Sequence, residues 1–139
     1  MPAKIIDGKA IAETILTATS ARVAQLKQET GRAPGLAAVL VGEDAASKLY
    51  VTNKRKACVR AGIYDELHHL PADCSEDELV VLINNLNNDP KISGILVQLP
   101  LPPHIRKERV LDEIALEKDV DGISSLNLGK LVSREECFT

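Results

Sequence analysis

Three stretches of this sequence carry side chains whose types and spacing could do chemistry. In SKLYVTNKRKA, Tyr50 and Lys54 stand four residues apart, a spacing that stacks them on one face of a helix. A ring and an amine one turn apart offer an apolar surface and a proton carrier to the same spot. A lysine held partly out of water exchanges protons nearer neutral pH than a solvated one. On spacing alone, the alternative that Lys54 extends into solvent stays open. In GILVQLPLPP, Gln98 ends an apolar run and precedes a set of prolines. At a strand's end its carboxamide presents two donors and an acceptor to a cleft, while the prolines end the ladder and fix the backbone direction. A loop-entry glutamine in water is the other reading. In KDVDG, Asp119 and Asp121 flank a valine before Gly122. Alternate acids can point opposite ways, one to a site and one to the surface, or both can belong to a solvated turn.

Other chemistries find no support. The sequence holds no GxGxxG, no P-loop and no GxSxG elbow. His68 and His69 are adjacent, with no acidic or cysteine partner near them at zinc-like spacing, so no metal is expected. The net charge of −3 suggests no broad nucleic-acid surface. No apolar stretch reaches membrane-spanning length, so no membrane partner is expected. Cys58, Cys74 and Cys137 are odd in number and far apart, and the opening MPAKIIDGKA lacks an apolar signal core. Reduced thiols in a cytoplasmic protein are the expectation.

The elements that must position these residues follow from periodicity. The 139 residues suffice for one domain with its own core, and aromatics at 2% leave that core to aliphatic side chains. Asp7 caps a first helix, with Ile11, Ile15, Ala18, Val23 and Leu26 at helical spacing, ended by Gly31 and Pro34. LAAVLV at 36–41 reads as a strand buried on both faces. Asp44 caps a second helix that Gly62 stops, with Tyr50, Lys54, Ala57 and Ala61 on one close-packing stripe. Leu67 to Leu70 is a short strand. Ser75 and Glu78 form a capping box ahead of Leu79, Leu82, Ile83 and Leu86, and Asn87 to Pro90 breaks that helix. Ile92 to Leu99 is the next strand and Arg106 to Ala115 a further helix, followed by a loop-rich tail. The alternation predicts an α/β, three-layer sandwich with a mostly parallel sheet flanked by helices. Ligands of such sheets bind beyond the carboxyl ends of the strands. This points to 41–44, to 98–100 and to whatever the tail folds back.

Together, VGEDAASKLYVTNKRKACVRAGI, SGILVQLPLPPHI and EKDVDGISSLNLGKLV resemble, in order and spacing, the signature blocks of the bifunctional methylenetetrahydrofolate dehydrogenase/cyclohydrolases of the FolD type. The opening KIIDGKAIA resembles the family's start. The resemblance implies hydride transfer from 5,10-methylene-tetrahydrofolate to NADP, or to NAD, and hydrolysis of the methenyl product to 10-formyl-tetrahydrofolate. Matched residue by residue, the family's lysine falls on Lys54 and its tyrosine on Tyr50. The glutamine that contacts the lysine falls on Gln98, and the pterin-binding aspartate on Asp121. Ser47 matches a position near the lysine, and Pro100 and Pro102 would shape the wall along which folate lies. A homodimer and a role in purine biosynthesis are implied for the intact enzyme.

Two departures stand out. Ile123-Ser124-Ser125 follows VDG where many members have an aromatic or a His-Pro pair. The family's chains are also about twice as long, continuing into a Rossmann domain that binds the dinucleotide. The expectation is therefore a folate-binding catalytic domain over residues 1–139, with no cofactor-binding residue of its own. The intact blocks favour a fragment over a natural single domain, and a fragment leaves room for a monomer. A non-catalytic α/β binding or assembly module is the alternative function.

Overall fold

A computed structural model describes residues 5–135, so Lys4 of the opening block and Cys137 lie outside the described residues. Three parallel strands, β1 (Gly35–Val41), β2 (Tyr64–Leu70) and β3 (Gly94–Val97), lie in the order β2-β1-β3. Five α-helices accompany them: α1 (Gly8–Thr30), α2 (Ala45–Ala61), α3 (Glu76–Asn88), α4 (Lys107–Asp112) and α5 (Ser125–Ser133). β1 is central and apolar on both faces. It pairs Ala37 with Glu66 on one side and with Ile95 on the other.

Alternation divides the core. Ala37, Val39 and Val41 point with Ile95 and Val97 toward α3 and α4, meeting Leu79, Ile83, Leu86, Val110 and Leu111. Ala38, Leu40 and Leu96 are buried on the opposite face, where α2 packs on β1 and β2 and contributes Val51, Cys58 and Ala61. Each fully buried aliphatic side chain contributes about 1.5–3 kcal/mol. The helix starts are local: Asp7 and Asp44 accept from the N–H groups of Ala10 and Ser47, and Ser75 and Glu78 close a capping box.

Several boundaries differ from the sequence expectation. β2 starts at Tyr64 rather than Leu67, because pairing with the buried β1 recruits the polar residues YDE into the sheet. β3 is shorter than 92–99: the Gln98 N–H still reaches the Val39 carbonyl at 2.8 Å, but Pro100 has no N–H to go further. The tail holds a short 3-10 turn at Leu116–Lys118 and the helix α5, where loop was expected. Of the α1 stripe read from the sequence only Val23 is buried, while Ile11, Ile15, Ala18 and Leu26 are exposed; the face that packs runs instead through the half-buried Leu16, Thr19 and Ser20 to Val23. The proposed α2 stripe also fails at Ala57, which is exposed; α2 buries Ser47, Val51, Cys58 and Ala61.

Candidate active site

The strand order places the site. From β1 the chain leaves through α2 toward β2, whereas β3 joins the other edge of β1 and its chain leaves toward α4. The carboxyl ends of β1 and β3 therefore diverge, which opens a crevice between them. A cleft of about 320 Å³ lies there, lined by Asp44, Ala46, Ser47 and Tyr50 from the start of α2 and by Gln98, Leu99 and Pro100 after β3. Four of the residues singled out from the sequence thus share one cavity. Ser47 is buried beneath it, Gln98 is half-buried and Pro100 is exposed at its rim. The Leu99–Pro100 peptide is cis.

Lys54 sits one helical turn beyond Tyr50, beside the cleft rather than among its lining residues. Its Nζ lies 4.7 Å from the centroid of the Tyr50 ring and 4.0 Å from Asp121 Oδ1. The two charged side chains are 29% and 36% exposed, so water screens their attraction. Such a pair is worth under about 1 kcal/mol, and the ring contact a similar amount. These contacts aim the amine; they contribute little to the fold. Gln98 does not reach Lys54 in this structure: its Nε2 donates to the neighbouring Leu99 carbonyl at 2.7 Å.

The acid pair divides its duties. Asp119 is 1% exposed, and its carboxylate accepts from the N–H groups of Gly122 (3.1 Å) and Ser124 (3.0 Å) and from Asn127 Nδ2 (2.8 Å). Burial pushes its carboxyl up, but hydrogen bonds from Asn127 and Ser124 outweigh that and hold it below the usual carboxylate range. Asp121 is the outward member, facing Lys54. Val120 between them lies on β3, where a Cβ built on Gly94 would stand 2.3 Å from Val120 Cγ1. A side chain at that strand position would push Val120 away.

Asn127 and Lys118 support the site without having been singled out from the sequence. Asn127 is fully buried on α5, whose leucines face outward (Leu126, Leu128 and Leu131 are exposed), so hydrophobic pattern misplaces its inner face. The available signal was Ser124, an N-cap residue whose side chain accepts from the Asn127 N–H. Lys118 donates from Nζ to the carbonyls of Leu86, Asn87 and Asp89, closing the end of α3.

A larger groove of about 490 Å³ runs between α2 and β2, lined by Thr52, Arg55, Lys56, Val59, Arg60 and Asp65. Asp65 is already paired there with Arg55 at 2.6 Å, and none of the strand-end residues joins it. Among the described residues, no group of His, Cys, Asp and Glu could hold a metal ion, and no helix is long and apolar enough to cross a membrane.

Residues 6–121 match the family model for the tetrahydrofolate dehydrogenase/cyclohydrolase catalytic domain. The chain is 58% identical over 138 residues to the bifunctional protein FolD of Moorella thermoacetica, covering 99% of this chain and 49% of the relative. To the FolD protein of Geotalea uraniireducens it is 54% identical, with 98% and 48% covered. Among solved structures, it superposes on a 5,10-methylenetetrahydrofolate dehydrogenase from the silkworm Bombyx mori with a TM-score of 0.95 at 40% identity, covering 99% of this chain and 48% of that one. The Trypanosoma brucei methylenetetrahydrofolate dehydrogenase-cyclohydrolase, complexed with NADP and an inhibitor, gives 0.92 at 37% identity, with 99% and 47% covered. The chain spans about half the length of the curated relatives it matches.

Proposed function

The chain belongs to the tetrahydrofolate dehydrogenase/cyclohydrolase catalytic-domain family, and on that premise we propose that it is the folate-binding, catalytic half of an enzyme that oxidises 5,10-methylene-tetrahydrofolate to the methenyl form and hydrolyses that to 10-formyl-tetrahydrofolate. The observation that carries the reading is the meeting of Tyr50, Lys54 and Asp121 beside the cleft that Ser47, Gln98 and Pro100 line.

In the proposed mechanism the folate lies against the exposed Tyr50 ring, with Pro100 and Pro102 as a wall. Asp121, ionised, accepts hydrogen bonds from the pterin's amino and ring N–H groups, a charge-assisted pairing. Lys54 takes and returns protons as water adds to the methenyl carbon and the ring opens. Gln98 turns from the Leu99 carbonyl to hold that amine in place.

The dinucleotide does not fit the described residues. The turn after β1 carries Glu43 and Asp44 at the start of α2, and Asp44 Oδ1 already accepts the Ser47 N–H at 2.7 Å. Hydrogen bonds from Ser47 hold the Asp44 carboxyl below its usual range. Two carboxylates there repel a pyrophosphate, and no glycine-rich turn replaces them. NADP, or NAD, is therefore assigned to a second domain. A cytoplasmic location, a homodimer and purine biosynthesis belong to the same proposal.

The test is hydrolysis of 5,10-methenyl-tetrahydrofolate by the enzyme that contains this chain. Lys54→Met is expected to lower turnover by roughly 10²–10⁴-fold, the usual cost of losing a positioned proton carrier. Near-wild-type turnover refutes the role. Calorimetry of the chain with a folate analogue tests the substrate. No binding at high protein concentration favours the alternative, a binding or assembly module.

A further inference from the structure

We propose that Asp119 is the positioning residue of the site: its buried carboxylate builds the turn that holds Asp121 beside Lys54. The inference deepens the reading above and rests on it for the meaning of Asp121, though not for the geometry.

A buried carboxylate is tolerated only when its oxygens are met by donors. Asp119 meets three, two from the turn and one from α5. The Gly122 N–H bonds Oδ1, and the Ser124 N–H and Asn127 Nδ2 bond Oδ2. One side chain thus ties the middle and the end of the segment 120–124 to the start of α5. Asn127 shows how much the arrangement demands. Its Oδ1 is buried without a partner, an unfavourable state for a polar atom. Exchanging the amide's ends would set that oxygen against the Asp119 carboxylate. The orphan oxygen persists because the nitrogen must serve Asp119.

The turn is also anchored from outside. Asp119 bridges Ile95 of β3 in parallel fashion. Lys118, just before it, closes the end of α3 through three carbonyls. Asn87 of α3 donates to the Glu113 carbonyl at 2.7 Å and accepts from the Ala115 N–H at 2.9 Å. Gly122 adopts φ +65°, the left-handed conformation that lets the turn close. Every residue from 118 to 122 is thereby committed to structure except Asp121. Its carboxylate makes no hydrogen bond among the described residues and faces only Lys54.

The experiment is zero-length cross-linking with a water-soluble carbodiimide, which condenses a carboxylate with an amine it touches, read by mass spectrometry on the intact chain. The wild type is expected to give a Lys54–Asp121 amide. In Asp119→Asn and in Asn127→Leu that product is expected to fall by roughly tenfold or more, since a shift of about 1 Å already disrupts a reacting geometry. The Lys48–Glu43 pair, which joins the start of α2 to the turn after β1, serves as the internal control and keeps its yield. A merely structural carboxylate would lower the melting temperature without changing the ratio of the two products. An unchanged Lys54–Asp121 yield in a folded variant overturns the proposal. So does its absence in the wild type, or the loss of cooperative melting in both variants. Folate-analogue calorimetry on the same proteins separates the two readings: a wild type that cross-links but binds no analogue refutes the folate assignment and leaves the positioning role standing.

Discussion

Gly94→Ala tests whether the acid-bearing turn really rests on the strand. A Cβ at position 94 would stand 2.3 Å from Val120 Cγ1 and 3.5 Å from Val120 Cβ and from Leu36 Cδ1. Carbon atoms pack at about 3.5–4.0 Å, so Val120 must retreat by roughly 1 Å or more, while the other contacts are ordinary. Overpacking of this kind costs about 1–3 kcal/mol. Against it, Gly94 is not among the positive-φ glycines, so alanine also gains about 0.4–1 kcal/mol by restricting the unfolded chain. The net expectation is a loss of about 1–2 kcal/mol, seen as a lower urea midpoint at unchanged slope. Val120→Ala in the same chain removes the clashing methyl and leaves only the 3.5 Å contacts, so the double variant is expected to be more stable than Gly94→Ala alone. Because Val120 precedes Asp121, the single variant is also expected to bind a folate analogue more weakly, with partial recovery in the double. A Gly94→Ala chain as stable as wild type, or a double variant no better than the sum of the singles, would refute the reasoning.

Charge pairing and burial elsewhere in the fold give two further expected outcomes. Glu76 is held near a pKa of about 2, against 4.5 for a free glutamate, chiefly by the Arg106 side chain, then the Arg106 N–H and Arg109. A lowered folded pKa stabilises above the unfolded value and is lost as pH falls through the folded one. Glu76→Gln is therefore expected to flatten the drop in melting temperature between pH 4.5 and about 2, and an unchanged drop contradicts it. Burial pushes the thiols of Cys58 and Cys74 up, with Asp65 adding to the first and Glu78 to the second. Both are expected to resist iodoacetamide at neutral pH until the chain is unfolded, and rapid labelling of either in the native chain contradicts their burial.

The sequence made legible what depends on short-range chemistry. Asp7, Asp44 and Ser75 sit at the helix starts they were expected to cap, and the apolar run after Pro34 is the central strand. Tyr50 and Lys54 meet because an i, i+4 spacing brings them together whatever the surroundings. Asp119 and Asp121 do point opposite ways, but Asp119 is buried at 1% exposure rather than turned to the surface, and nothing local says which of the two is buried. That is decided by Asn127 and by the Ser124 N–H, supplied from further along the chain. Hydrophobic pattern does not reveal α5, because its buried residue is polar and its leucines are outside; only the Ser124 cap signals it. On α1 the period is right but the face is rotated: packing selects Leu16, Thr19, Ser20 and Val23, two of them polar, and leaves Ile11 and Ile15 outside. The Gln98 orientation is a choice between donating to the Leu99 carbonyl and turning the carboxamide to the site, which no pattern of residue types encodes.

The most direct test is a crystal structure of the chain with a bound folate analogue. The expected result is a ligand in the crevice between the ends of β1 and β3, its ring system on Tyr50. Lys54 Nζ, the Gln98 carboxamide and the Asp121 carboxylate should each come within about 2.6–3.2 Å of the ligand or of one another. A ligand seated in the groove between α2 and β2, with the Lys54 amine left in solvent, would contradict it.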